Sequence, residues 1–292
     1  MRGRNETIDA MIRRVAAGLK NSTTPLLDAR LIVGAALHME PADLIAAGAK
    51  VPDAEQVSRV DVMASRRARG EPVAYITGEK EFWGLSLDMT PGVLVPRPDT
   101  ETLVATALAR RPHGVASILD LGCGSGALLC ALLAEYRRAC GLGVDLNHAA
   151  VALTRRNLAR NGLQARGRAE QGDWNAPGFE SGLGAPFDLV VSNPPYIPET
   201  ERGKLPPEVE VFEDHRALFS GADGLNAYRR LADLLPAVLA PDGLLLLEIG
   251  FDQATAAGSI LGAAFPESRP FIARDLADRD RALIIDLRKE AR

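Results

Sequence analysis

The sequence predicts an α/β fold: a doubly wound, mainly parallel seven-stranded sheet of Rossmann-like type with a reversed edge strand, preceded by a small N-terminal helical bundle and a β-hairpin linker. Three observations predict it. Residues 6–69 carry helical periodicity with few glycines; from Pro112 onward apolar strand-length runs alternate with helical patterns; and the last two strand patterns are separated by too few residues to hold a helix. Strands alternating with helices require a parallel sheet covered on both faces, whereas two strands joined by a short turn must pair antiparallel.

Along the chain, LLDARLIVGAALHM places Leu27, Leu31, Ala35 and Ala36 on one helical face, and Asp53 is a candidate N-cap for the helix that follows Pro52. EPVAYITGEKEFWGLSLDMTPGVLVPRPDTE mixes aromatic and β-branched residues with Gly and Pro, as short strands and turns do, and a helix follows from about Asp99 to Arg110. SILDLG is then a strand, GALLCALLAEY a helix, GLGVDL a strand, and HAAVALTRRNLARNG a helix stopped by Gly162. A third strand leads into GDWNAP, and FDLVVSN is the fourth; LNAYRRLADLLPAVL is helical despite Pro236, and GLLLLEIG is an apolar strand. PFIARDL and RALIIDL, joined by the turn ADRD, close the sheet. The expected domains are 1–75 (helical), 76–98 (hairpin linker) and 99–292 (sheet).

A length of 292 residues suits two domains, and 47% hydrophobic with 25% charged residues, without a long uninterrupted apolar run, reads as soluble and globular. Asp9, Arg13 and Arg14 interrupt the N-terminal apolar residues, so no secretory core is expected and a cytoplasmic location is. Cys123, Cys130 and Cys140 lack metal-ligand spacing, which predicts free thiols and no metal. A net charge of −4 argues against a protein that coats nucleic acid, although a local basic patch stays open.

Chemistry enters with ILDLGCGSGALL. Gly122, Gly124 and Gly126 lie between a strand and a helix, where glycine lets the backbone approach a ligand and the helix N-terminus meets polar groups. Asp145 ends the next strand, where a carboxylate can accept both hydroxyls of a ribose. Either feature alone also fits a tight βα corner or a helix cap, for which Asn147 is better placed than Asp145. Together they predict an adenosine-containing cofactor. The spacing is GxGxG rather than GxGxxG, so hydride transfer from a dinucleotide is the second reading.

The strand FDLVVS runs into Asn193-Pro194-Pro195-Tyr196, just past its C-terminal end, where open α/β sheets bind ligands. DLGCGSG resembles the first motif of class I S-adenosylmethionine-dependent methyltransferases, and that resemblance implies methyl transfer. Such transfer to an amide or arylamine nitrogen needs a lone pair that is otherwise delocalised. Two fixed acceptors can hold the two N–H bonds and so direct that nitrogen: the Asn193 side-chain oxygen and the Pro194 carbonyl. Pro195 stiffens the pair, and Tyr196 can lie on the planar group. The acceptor is then an exocyclic base amine in nucleic acid or a glutamine side chain in a protein, and the acidic balance weighs against the former. An adenosine-binding regulator without catalysis is a further reading, one that would not need NPPY.

With EPVAYITGEKEFWGLSL, VPRPDTE, SNPPYIP, EVEVFEDHRALFSGADGLNAYR, LLLEIG and DLADRDRALIIDL, the chain from about Asp28 resembles the bacterial release factor glutamine methyltransferase (PrmC/HemK) family. That resemblance implies methylation of the glutamine in the Gly-Gly-Gln loop of a peptide chain release factor, gripped by the helical N-terminal domain and the methyltransferase domain. It implies S-adenosylmethionine contacts at Gly122, Cys123, Gly124, Ser125, Gly126, Asp145, Asp173, Trp174 and Asn193, with Asp173 and Trp174 on the adenine. It places substrate glutamine at Asn193, Pro194, Pro195 and Tyr196, of which Asn193, Pro194 and Tyr196 are catalytic. Arg97 and Glu101 would order a cofactor lid and Phe82 and Trp83 wall the pocket, unless all four only pack the linker on the sheet. A monomer without stable nucleic-acid binding is expected. A sister family that methylates glutamine in a ribosomal protein remains the near alternative, and a DNA adenine methyltransferase the distant one.

Overall fold

A computed structural model describes residues 6–184 and 186–288. In chain order the helices are α1 (Ile8–Gly18), α2 (Pro25–Leu37), α3 (Pro41–Ala46), α4 (Ala54–Ala68), α5 (Val73–Thr77), α6 (Glu101–Arg110), α7 (Ala127–Glu135), α8 (His148–Arg160), α9 (Pro207–Glu210), α10 (Asn226–Val238) and α11 (Ala254–Ala264). The strands are β1 (Glu79–Phe82), β2 (Leu85–Asp88), β3 (Ser117–Leu121), β4 (Cys140–Asp145), β5 (Gly167–Gln171), β6 (Phe187–Ser192), β7 (Leu239–Glu248), β8 (Phe271–Arg274) and β9 (Asp280–Asp286). The chain forms two compact units, one reaching Glu79 and taking in Pro206–Phe212, the other comprising the rest. Among the described residues no helix is long and apolar enough to cross a membrane.

The helical unit packs α1, α2 and α4 around Met11, Ile32, Val33 and Val60. Asp53 caps α4 in a capping box with Gln56, as its place after Pro52 predicts. The face of α2 differs from the sequence reading. Ala29, Ile32, Val33 and Ala36 are buried while Leu27 and Leu31 are exposed. This helix is apolar nearly all round, so periodicity cannot choose a face. Asp28 chooses it: its carboxylate accepts from Arg67 Nε at 2.6 Å, Ser22 Oγ at 2.7 Å and Thr24 Oγ1 at 3.0 Å, which turns the Asp28 side inward. A buried charge is tolerated only when paired in this way.

The second unit is built on a seven-stranded sheet of order β5-β4-β3-β6-β7-β9-β8. In that order the strands from β5 to β7 are parallel; β9 runs antiparallel to β7, and β8 antiparallel to β9. The reversal follows from the short ADRD connection, but it falls on β9, one strand in from the edge expected from the sequence, because the hairpin inserts β9 between β7 and the edge strand β8. β3, β6 and the second half of β7 are buried on both faces, and α7 buries Leu129, Leu132 and Leu133 completely, each contributing about 1.5–3 kcal/mol of hydrophobic stabilisation. β1 and β2 form the separate two-stranded linker sheet. Its turn residues Trp83 and Gly84 both have positive φ (52° and 72°), the requirement of a type I′ hairpin turn.

Candidate active site

At the C-terminal ends of β3, β4 and β6 lies a cavity of about 420 Å³, lined by Gly122, Gly124, Asp145, Asp173, Trp174, Asn193 and Pro195 among others. That volume falls within the ~300–1,000 Å³ of small-molecule sites. The sheet order explains the convergence. β3 lies between β4 and β6, so the glycine loop after β3 stands between Asp145 and Asn193.

The glycine loop is held from both sides. The Gly124 N–H donates to Asp145 Oδ2 and the Asn147 N–H to Asp145 Oδ1, both at 2.8 Å. Each carboxylate oxygen therefore keeps a further lone pair for a ligand hydroxyl. Burial raises the Asp145 pKa, opposed by those two N–H bonds. Gly122, Gly124 and Gly126 have φ of +74°, +55° and +79°, a region that favours glycine. A Cβ on Gly122 would stand 3.4 Å from the Trp174 ring, so the indole packs directly over the loop backbone. Asp173 Oδ1 accepts from the Asn175 N–H at 2.8 Å and steadies the same corner.

Three loop residues assigned to the cofactor, Cys123, Ser125 and Gly126, are not among the residues that line the cavity. Cys123 is buried with its Sγ 3.4 Å from Thr154 Oγ1, Ser125 is buried and offers its carbonyl to Asn157 Nδ2 at 2.8 Å, and Gly126 serves as the N-cap of α7. A further wall comprises residues 92–94 with Asp214, Arg216, Ala217 and residues 219–221. Asn147, which caps α8 as expected, also ties these two segments together, donating from Nδ2 to the Gly92 carbonyl at 3.1 Å and to Asp214 Oδ2 at 3.2 Å.

Of the four undecided residues, Arg97 comes nearest to this wall through its contacts: its guanidinium meets both oxygens of buried Glu213, the neighbour of Asp214, at 2.8 and 2.9 Å. Glu101 instead accepts the Trp83 N–H at 3.0 Å, Trp83 Nε1 donates to Glu135 at 2.7 Å, and Phe82 is buried in the core. None of those three lines the cavity: Trp83 is tied to Glu101 of α6 and Glu135 of α7, and the end of β2 is tied to Asn157 of α8.

Asn193 and Pro195 belong to the cavity wall, whereas Pro194 is buried and Tyr196 stands outside the lining. Tyr196 donates from its hydroxyl to Glu248 Oε1 at 3.2 Å, and Asn193 Nδ2 donates to Thr100 Oγ1 at 3.4 Å. Burial and the Glu248 charge push the Tyr196 phenol well above its ordinary range. Sequence reasoning missed Thr100 and Glu248. Only Glu248 carried a signal: a carboxylate closing the apolar run GLLLLEIG must be partnered if buried.

Fold and cavity together define a class I S-adenosylmethionine-dependent methyltransferase, a doubly wound sheet whose glycine loop, acidic strand end and NPPY segment share one end. Solved structures agree on the fold. A methyltransferase from Pyrococcus furiosus aligns over 70% of this chain and 90% of its own with a TM-score of 0.50 at 18% identity. The putative methyltransferase SMU.776, solved with SAH, aligns over 72% of this chain and 56% of its own with a TM-score of 0.51 at 14% identity. Residues 10–78 match the family model of the PrmC N-terminal domain, and residues 98–205 that of the methyltransferase small domain. The release factor glutamine methyltransferase of Rhodospirillum rubrum is 42% identical over 89% of this chain and 78% of its own length. That of Caulobacter vibrioides is 42% identical over 89% of each, and that of Moorella thermoacetica 36% identical over 98% of this chain and 99% of its own. The chain belongs to the release factor glutamine methyltransferase family.

Proposed function

We propose that this protein transfers the methyl group of S-adenosylmethionine to the side-chain amide nitrogen of the glutamine in the Gly-Gly-Gln loop of a peptide chain release factor. The observation that carries this reading is the presence of Asn193 in the wall of the cavity formed by Gly122, Gly124, Asp145 and Trp174. The cofactor fits those residues: the loop presents bare backbone at Gly122 and Gly124, Asp145 keeps acceptor capacity, and Trp174 offers a face for adenine. When bound, S-adenosylmethionine supplies an electrophilic methyl group on a sulfonium.

The chain's own residues then orient the acceptor. Asn193 Oδ1 accepts one N–H of the glutamine amide and the Pro194 carbonyl the other, which turns the nitrogen lone pair toward the methyl carbon. Acceptors placed there also stabilise the positive charge that grows on the amide as the bond forms. Tyr196, outside the cofactor cavity, borders the acceptor side and covers the amide plane. The helical unit up to about residue 75 binds the release factor, residues 76–98 link, and the remainder catalyses. The protein acts in the cytoplasm as a monomer and forms no stable complex with nucleic acid.

Incubation with a release factor and isotopically labelled S-adenosylmethionine tests the reading. Mass spectrometry is expected to place a single methyl on the Gly-Gly-Gln glutamine. Label on a ribosomal protein or on DNA in its place overturns it.

A further inference from the structure

The environment of Asn193 contains a chain of hydrogen bonds whose direction is fixed by proton count. Glu248 ends β7, and the parallel register that pairs Ser192 with Leu247 brings the next residues, Asn193 and Glu248, to the same level of the sheet. Glu248 is 1% exposed and Thr100 is 3% exposed. The Thr100 hydroxyl donates to Glu248 Oε2 at 2.6 Å, and Tyr196 donates to Glu248 Oε1 at 3.2 Å. The Glu248 backbone carbonyl accepts from Tyr228 at 3.0 Å, which anchors the strand end itself.

An ionised carboxylate only accepts, and a threonine hydroxyl has one proton. Thr100 gives that proton to Glu248, so toward Asn193 it can only accept. It accepts from Asn193 Nδ2 at 3.4 Å. The Asn193 amide therefore turns its nitrogen to Thr100 and leaves its oxygen for another donor. The reverse orientation would present N–H groups to the N–H groups of a glutamine amide, and both would be left unpaired at a cost of about 1–3 kcal/mol each.

We infer that Glu248 is a positioning residue that sets the polarity of the Asn193 amide through the Thr100 hydroxyl and, with its other oxygen, fixes Tyr196 on the far side of the acceptor. This rests on the methyl-transfer reading above and adds two residues to it, Thr100 and Glu248, that never touch substrate. Arg281 and Asp99, from β9 and the turn before α6, are the further charges that act on Glu248, and Tyr196 and Tyr228 are the titratable groups that interact with it from the NPPY segment and α10. Burial raises the Glu248 pKa, while the Thr100 bond, Arg281 and the Tyr196 bond favour the ionised form.

The relay is tested with three variants assayed on the substrate that the wild type methylates. Thr100→Val removes the hydroxyl at nearly constant volume; Thr100→Ser restores it; Glu248→Gln offers Thr100 a donor and so permits the reversed chain. Thr100→Val and Glu248→Gln are expected to lower kcat on the order of 100-fold, with KM for the protein substrate and the calorimetric Kd for S-adenosylmethionine within about 3-fold of wild type. Thr100→Ser is expected to recover kcat to within about 5-fold. The wild-type kcat is expected to fall on the acid side as Glu248 takes up a proton, and Glu248→Gln to lose that limb. A Thr100→Val enzyme with kcat within about 5-fold of wild type overturns the inference, as does a loss of kcat matched by equal losses in cofactor affinity and melting temperature. Wild-type label on a target other than a release factor overturns the substrate reading alone, because the variants are then compared on that target.

Discussion

Asp145 Oδ2 receives the Gly124 N–H at 2.8 Å, so the same carboxylate that faces the cavity also holds the glycine loop in its shape. An asparagine in its place would keep one acceptor and turn an N–H₂ toward either the Gly124 or the Asn147 N–H. Asp145→Asn is therefore expected to weaken S-adenosylmethionine binding by about 10–100-fold, since a buried donor left unpaired costs about 1–3 kcal/mol and the ribose loses an acceptor. Titration calorimetry measures this. An unchanged Kd would remove Asp145 from the ribose contact.

The loop glycines are not equivalent. Gly124 and Gly126 both have positive φ, where an L side chain costs about 1–2 kcal/mol, yet a Cβ on Gly124 meets nothing within 4 Å and one on Gly126 lies 2.8 Å from Thr154 Cγ2. Gly126→Ala is expected to destabilise the protein by about 1–3 kcal/mol more than Gly124→Ala, through overpacking. Thr154→Ser, which deletes Cγ2 and keeps the hydroxyl that donates to the Gly124 carbonyl at 3.0 Å, is expected to recover part of that difference. Denaturant melts of the single and double variants decide it. Equal losses at positions 124 and 126 would show that Thr154 yields freely.

How far the sequence discloses the molecule follows from these contacts. Most of the sheet was legible because β3, β4, β6, β7 and β9 are apolar runs and most lengths between runs suit a crossover helix or a hairpin; β5 (GRAEQ) and its connection to β6, which holds no α-helix, are the exceptions. The core face of α2 was not, because Leu27 and Leu31 are as apolar as Ile32 and Val33, and the deciding Asp28–Arg67 pair joins residues far apart in sequence. Within the site, Gly122, Asp145 and Asn193 were legible because each ends a strand at the same side of a parallel sheet. Cys123, Ser125 and Gly126 share a motif with Gly122 and Gly124, yet the Cys123 and Ser125 side chains are buried and Gly126 caps α7. Thr100 and Glu248 meet only through the fold, and no local pattern pairs them.

A pH dependence resides beneath the loop. Asp120 is 1% exposed near the end of β3, and burial, with the Asp145 charge adding to it, raises its carboxyl to about 7; Cys123 and Cys130 are the other titratable groups close to it. The unfolded chain gives up this proton near the ordinary value of 3.8. Between the two values the folded state binds the extra proton, so this group's contribution to stability is full below about 4 and is lost as pH rises through about 7. Asp120→Asn is expected to remove that slope and to stabilise the ligand-free protein at pH 8 by on the order of 3 kcal/mol, with little effect at pH 4. Urea titrations at both pH values test it, and an equal change at each would mean that the carboxyl keeps its ordinary titration.

Asn193 offers the sharpest separation of binding from turnover. Asn193→Ala deletes the acceptor for one substrate N–H and leaves Gly122, Gly124, Asp145 and Trp174 in place, so cofactor affinity is expected to stay within about 5-fold while kcat falls at least 100-fold. Asn193→Asp preserves shape and acceptor oxygens but loses the Nδ2 donor to Thr100, whose proton is already given to Glu248. Two acceptor oxygens would then face each other near a second buried carboxylate, which expels the new side chain from its position or draws a proton onto it. Asn193→Asp is accordingly expected to be no more active than Asn193→Ala above pH 7, and to gain activity as the pH is lowered and the new carboxyl takes up a proton able to donate to Thr100. Single-turnover rates across pH measure both variants. Substantial activity of Asn193→Asp at high pH would show that an acceptor oxygen alone suffices and that the donor side of the amide has no part in aiming it.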